Sequence, residues 1–168
     1  DVLGRLTFRL DSRNSLSAVA IGSIDRVSFF NDDADQRLKN SRILGTGQDQ
    51  YVSGVTWEHL LGTGFVHVTL GRSLIRYDGV QNDTLLRPIF TNRSKEGETS
   101  LRADVVFRTS REGKHEVSAG VMAKRMTLES ALLLPATVTS FGDSIGSELR
   151  DVRSSGVRGS GYLQALFH

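Results

Sequence analysis

At 168 residues the chain is one domain or part of one. Only 38% of it is hydrophobic and its mean hydropathy is −0.22, yet apolar and charged residues are interleaved along its length, which excludes a disordered polyelectrolyte. The absence of cysteine excludes a disulfide scaffold and thiolate-held zinc or iron–sulfur centres, and 21 basic against 19 acidic side chains leave too little positive charge to suggest a nucleic-acid or acidic-lipid partner.

No apolar stretch approaches the roughly 18 residues of a membrane-spanning helix. The longest apolar run, near Ala131 to Ala136, is interrupted by Pro135. The chain opens Asp1-Val2-Leu3-Gly4-Arg5 without the basic start and apolar block of a signal peptide, so it reads as cytoplasmic or as cut from a longer precursor.

Period-two alternation recurs in chain order. Leu6, Phe8 and Leu10 alternate with Arg5, Thr7 and Arg9. Further on, Tyr51, Val55 and Trp57 lie in one phase, as do Val66, Val68 and Leu70. The pattern repeats at Leu101, Ala103, Val105 and Phe107, and again at Val117, Ala119 and Val121. Such spacing sends apolar side chains to one face of a strand and does not fit a helical period. It predicts about seven strands, near 2–10, 15–27, 48–60, 65–77, 98–109, 115–126 and 157–167.

The connections alternate in length. Short polar turns are predicted near 11–14, 61–64 and 110–114, and long loops near 28–47, 78–97 and 127–156. Both prolines, Pro88 and Pro135, fall in long loops, where they break no ladder hydrogen bond. A soluble sandwich has no reason to place every long loop at one end, whereas outer-membrane barrels have short turns on one side and long loops on the other. Strands of about ten residues, tilted near 40°, span an apolar band of about 25 Å. The fold class expected is therefore all-β: an antiparallel up-and-down meander of about seven long strands, forming a partial segment of a large transmembrane β-barrel. An odd number of strands cannot close antiparallel, so residues 1–168 are expected to be a single slice of that barrel, with the long loops outside the cell.

Three stretches carry a family resemblance: Gly47 to Gly62 (GQDQYVSGVTWEHLLG), Asp83 to Val105 (DTLLRPIFTNRSKEGETSLRADV) and Ile24 to Asp35 (IDRVSFFNDDAD). They resemble the barrel of TonB-dependent outer-membrane receptors. The resemblance implies a barrel of about 22 strands filled by an N-terminal plug and energised by the TonB complex. The function it implies is import of a scarce ligand of the siderophore, cobalamin, oligosaccharide or peptide class. The expected partners are the plug and the rest of the barrel, the TonB complex reached through a more N-terminal segment, outer-membrane lipid and an unidentified ligand. No cofactor and no enzymatic activity are expected, and the location implied is the bacterial outer membrane. The alternatives are a passive porin-like or adhesin barrel, and a soluble secreted β-sandwich that binds a partner.

Candidate site residues follow from phase and position. Arg5, Arg9, Arg72, Arg76, Arg102, Asp104 and Arg108 are expected on the polar phase, with Arg72, Arg102, Asp104 and Arg108 forming a lumen wall. Guanidinium groups there can contact a plug or an anionic substrate through charge-assisted hydrogen bonds. Trp57, Phe65, Tyr77 and Phe167 lie near predicted strand ends and are expected in an aromatic girdle at the headgroup level. Phe141-Gly142-Asp143-Ser144-Ile145 resembles the nucleophile block of Gly-Asp-Ser-Leu esterases, but no Asp-x-x-His follows, and the only later histidine is His168. The acidic run Asn31 to Asp35 lacks the glycine and distal glutamate of a calcium loop, and His59, His67, His115 and His168 have no metal-ligand spacing. These residues are expected to be loop and surface positions.

Overall fold

The computed structural model describes residues 1–108 and 115–167. Strands β1 (Val2–Arg9) and β2 (Asn14–Arg26) are followed by one short helix, α1 (Ala34–Asn40). Long strands β3 (Gly45–Leu61), β4 (Gly64–Asn82), β5 (Pro88–Arg108) and β6 (His115–Leu134) come next. A small hairpin of β7 (Thr137–Val138) and β8 (Ser144–Ile145) precedes the last long strand, β9 (Glu148–Phe167).

The seven long strands form one antiparallel sheet in the order β1-β2-β3-β4-β5-β6-β9, so each pairs with its neighbour in the chain. This is the all-β meander expected from the alternation. The sheet is open: β1 and β9 are its two edges and do not meet.

Continuous register makes the two faces easy to define, because directly paired residues share a face and successive residues alternate. One row crosses all seven strands as Phe8, Leu16, Trp57, Val68, Ala103, Val121 and Gly161. The next row on the same face is Leu6, Ala18, Val55, Leu70, Leu101, Ala123 and Gly159. Neither row contains a polar side chain. The intervening row, Thr7, Ser17, Thr56, Thr69, Arg102, Met122 and Ser160, faces the other way and is polar except at Met122.

Among the described residues nothing covers the apolar face. Leu70 is 54% exposed, Leu101 50% and Val121 64%, and no hydrophobic or polar side chain among the described residues is buried. The positions that are buried are glycines: Gly47, Gly79, Gly97 and Gly120.

Three expectations need correction. The strands are much longer than the apolar alternation: β4, β5, β6 and β9 have 19, 21, 20 and 20 residues. The long loops shrink accordingly, to 27–44, 83–87 and 135–147, and the second is only a five-residue turn. In that turn the Asp83 carboxylate accepts the backbone N–H groups of Leu85 (2.8 Å) and Arg87 (2.9 Å). The first connection contains α1, where the sequence pattern predicts only a loop. Its N-cap, Asp33, accepts the Gln36 N–H at 2.7 Å, while the Gln36 side chain accepts the Asp32 N–H at 2.9 Å. Asp35 and Lys39, four residues apart on the helix, are ion-paired at 2.6 Å. The acidic run therefore caps and flanks a helix. The predicted turn near 110–114 lies outside the described residues, as does His168.

The first short turn is locked by one carboxylate. Asp11 Oδ1 accepts the N–H groups of Arg13 (2.7 Å) and Asn14 (2.8 Å), and the Asn14 amide donates back to Asp11. Asn14 Oδ1 in turn accepts the Trp57 indole N–H at 3.2 Å and lies 2.8 Å from His59 Nδ1. The Arg13 backbone N–H, and next the Asn14 amide, hold the Asp11 carboxyl below its ordinary value of 3.8. A depressed carboxyl stabilises the folded turn above the ordinary value, and that contribution is lost as pH falls through the lowered one. Trp57 is the single tryptophan, so its emission reports the turn. Acidification below pH 3.8 is expected to shift Trp57 fluorescence in the native protein and to leave it unchanged in Asp11→Asn.

Candidate functional site

The polar face carries the densest side-chain chemistry. Adjacent strands β3, β4, β5, β6 and β9 bring Glu58, His67, Asp104, Gly120 and Tyr162 into one row. Arg102, two residues from Asp104 on the same face, grips it at both oxygens: Nε to Oδ2 at 2.6 Å and the second guanidinium contact at 3.0 Å. The Tyr162 hydroxyl donates to Asp104 Oδ1 at 3.0 Å. Asp104 thus sits beneath its partners, with a side chain only 15% exposed against 58% for Arg102. Beside it, His67 Nε2 and Glu58 Oε2 lie 2.6 Å apart.

This constellation depends on a glycine. A Cβ at Gly120 would collide with both the Tyr162 ring and the Asp104 carboxylate. The tyrosine therefore lies across bare backbone to reach its acceptor, spanning β9 to β5 over β6. Further along the same face, Thr56 and Thr69 share a hydrogen bond of 3.0 Å, and Lys124 pairs with Glu98 at 2.9 Å. Arg108 approaches Glu116 at 3.5 Å. Paired charges of this kind fix side chains across strands and add little net stability where water reaches them.

Of the expected lumen-wall residues, the sheet brings Arg102, Asp104 and Arg108 onto the polar face, together with Arg5 and Arg9. Arg72 and Arg76 fall on the other face, in phase with Val66, Val68 and Leu70. Their charge interrupts the apolar phase along β4, on either side of Leu74, without a change of face. The expected aromatic set also divides. Trp57 and Phe167 lie on the apolar face, while Phe65 and Tyr77 lie on the polar one, Phe65 with its ring 4.6 Å from His67.

No protein-family model matches the chain, and no curated protein matches it.

Two aromatic residues were missed. Phe8 and Phe107 join Trp57 and Phe167 on the apolar face toward the short-turn end, and their shared parity with the apolar row was the signal available. Glu58, His67 and Tyr162 were missed on the polar face, because pairing across strands is invisible until the register is known. Ser144 lies in β8 opposite Val138, on the small hairpin beyond the main sheet. His59 and His67 are engaged on the sheet by Asn14 and Glu58. Among the described residues no group of three or more acidic or histidine side chains is placed to hold a metal ion.

Gly120→Ala is expected to displace Tyr162 and to lower stability by about 1–3 kcal/mol through overpacking. The Gly120→Ala/Tyr162→Ala double variant should lose much less than the sum of its single variants. Urea unfolding of the four proteins measures both.

Proposed function

We propose that this chain is a seven-stranded piece of the wall of an outer-membrane β-barrel, with the apolar face against lipid and the polar face lining the interior. The observation that carries the reading is the pair of uninterrupted apolar rows on a face that no protein layer covers. In water such a surface is an aggregation hazard, as are the two open edges. In a bilayer it is the surface required. The apolar phase extends from the Phe107 level to the Tyr51 and Leu74 level, broken once by Arg72 and Arg125 in the row between Leu70 and Leu74. About ten residues at roughly 3.3 Å each, tilted near 40°, give about 25 Å, the height of an outer-membrane apolar band.

Strands near 20 residues rise about twice that height. The excess lies toward the loop ends, where both faces turn polar, and would stand above the membrane as an extended rim. Phe8, Trp57, Phe107 and Phe167 would form the girdle at the opposite boundary.

Within that barrel we assign the segment to a ligand-importing receptor of the TonB-dependent kind, on the strength of the three phrases that resemble this family. The polar row centred on Asp104, Arg102 and Tyr162 would then face a plug, its charged tips offering hydrogen bonds to a folded interior domain. The chain contributes wall and rim, and no covalent chemistry.

Two experiments test the two levels. Leu101→Arg, in the full-length protein refolded into lipid vesicles, is expected to cost about 2–4 kcal/mol, whereas Ser100→Arg on the opposite face costs much less. A change at Leu101 within about 0.5 kcal/mol is the behaviour of a water-exposed site and rejects the lipid-facing assignment. For the receptor assignment, a photocrosslinking residue at Met122 is expected to capture a segment of the same polypeptide N-terminal to this chain. A barrel that yields no such adduct is a passive pore.

A further inference from the structure

The polar face changes character along its strands. Toward the short turns its polar groups are engaged with one another: Glu58 with His67, Asp104 with Arg102 and Tyr162, and Glu98 with Lys124. Toward the loops they are not. Tyr77 stands at the centre of that second region, with Gln48 on β3 and Ser94 on β5 as its direct cross-strand neighbours. One row nearer the turns, Gln50 and Glu96 flank Ile75 in the same way. Among the described residues the side chains of Gln48, Gln50 and Glu96 have no hydrogen-bond or ion-pair partner, and all three are exposed. The Tyr77 ring leans along β4 over the bare backbone of Gly79, where a Cβ would come within 3.0 Å of it.

Charge narrows what such a surface can hold. Across the three rows from Ile75 to Gly79 this face carries two carboxylates, Asp25 and Glu96, and one cation, Arg150, which Glu148 engages at 2.8 Å. An anionic ligand finds no open cation on this part of the wall. A cationic ligand would use the carboxylates and leave the amides and the ring without a role. Amides both donate and accept hydrogen bonds, and a carboxylate only accepts them. That set matches hydroxyl groups, which do both, and the aromatic ring offers an apolar surface beside it.

We infer that Tyr77, Gln48, Gln50 and Glu96 form a binding platform for a neutral oligosaccharide. The inference rests on the interior reading of the polar face and names the ligand class for it. The C–H face of a sugar ring packs on Tyr77, and its hydroxyls exchange hydrogen bonds with the two glutamines and donate to Glu96. A few placed polar groups beside an apolar surface orient a ligand in this way. Because the groups are repeated on adjacent rows, the platform can take successive sugars of a chain.

The test is binding of the full-length protein, in detergent, to an array of neutral oligosaccharides, their sulfated counterparts and oligolysine peptides. Wild type is expected to bind at least one neutral oligosaccharide, and to bind it at least about tenfold better than its sulfated counterpart. Tyr77→Ala should weaken that binding about tenfold or more, and Tyr77→Phe should keep most of it. Gln48→Ala/Gln50→Ala, which alters only exposed side chains, should weaken it as well. Arg76→Gln, on the opposite face of the same strand, should leave it unchanged. An array on which no neutral oligosaccharide is bound overturns the proposal without reference to any variant. So does a preference for the sulfated sugars or for oligolysine, and so does neutral binding that survives in both Tyr77→Ala and the double glutamine variant. Recovery of the wild-type protein as a soluble monomer without detergent rejects the interior reading itself. A membrane-embedded protein that binds no neutral sugar rejects only this ligand class.

Discussion

Cross-strand hydrogen bonding is what the rest of this molecule depends on. Six antiparallel ladders run without interruption from β1 to β9, apart from one irregularity at Gln81 and Asn82 near the loop end of β4. They satisfy the backbone of nearly every strand residue inside a single layer. Side-chain burial contributes almost nothing to order in this sheet, since no hydrophobic or polar side chain among the described residues is buried. Water-soluble sheets are stabilised by a second layer on their apolar face. A one-layer sheet with a complete ladder matches the requirement of a bilayer, where backbone groups must be satisfied internally while apolar side chains need only lipid as a neighbour.

The edges extend the same logic. With seven strands in strict alternation, β1 and β9 run in the same direction, and each presents an unpaired ladder. Closing the sheet antiparallel takes an odd number of further strands, which gives the even total of bacterial single-chain barrels. The glycine-spanning contact from Tyr162 to Asp104 has a separate role. It links β5 and β9 by side chains on the polar face, across the bare backbone of Gly120 on β6.

The meander was legible because apolar and polar residues alternate with period two, and only sheets read that way. The upper halves of the strands were not legible for the complementary reason. In Arg93-Ser94-Lys95-Glu96-Gly97-Glu98 both faces are polar, so pairing leaves no hydrophobic period to detect, and the segment reads as a loop. Helix α1 was too short and too polar for a periodicity signal, although Asp33 and Gln36 had the spacing of a cap. Arg72 was assigned by its charge when its parity with Leu70 carried the information. The Glu58, His67, Asp104 and Tyr162 row joins residues more than 100 positions apart, and only register can assemble it.

The central claim is that the two faces of one ribbon meet two different solvents, and β5 offers the direct measurement. The chain has no cysteine of its own, so a nitroxide can be placed singly at each position from Ser100 to Val105 in the membrane-reconstituted protein. Collision with oxygen, which concentrates in lipid, should peak at Leu101, Ala103 and Val105, while collision with a water-soluble nickel chelate should not. Leu101, Ala103 and Val105 shielded from both reagents, or open to the nickel chelate, would contradict the account.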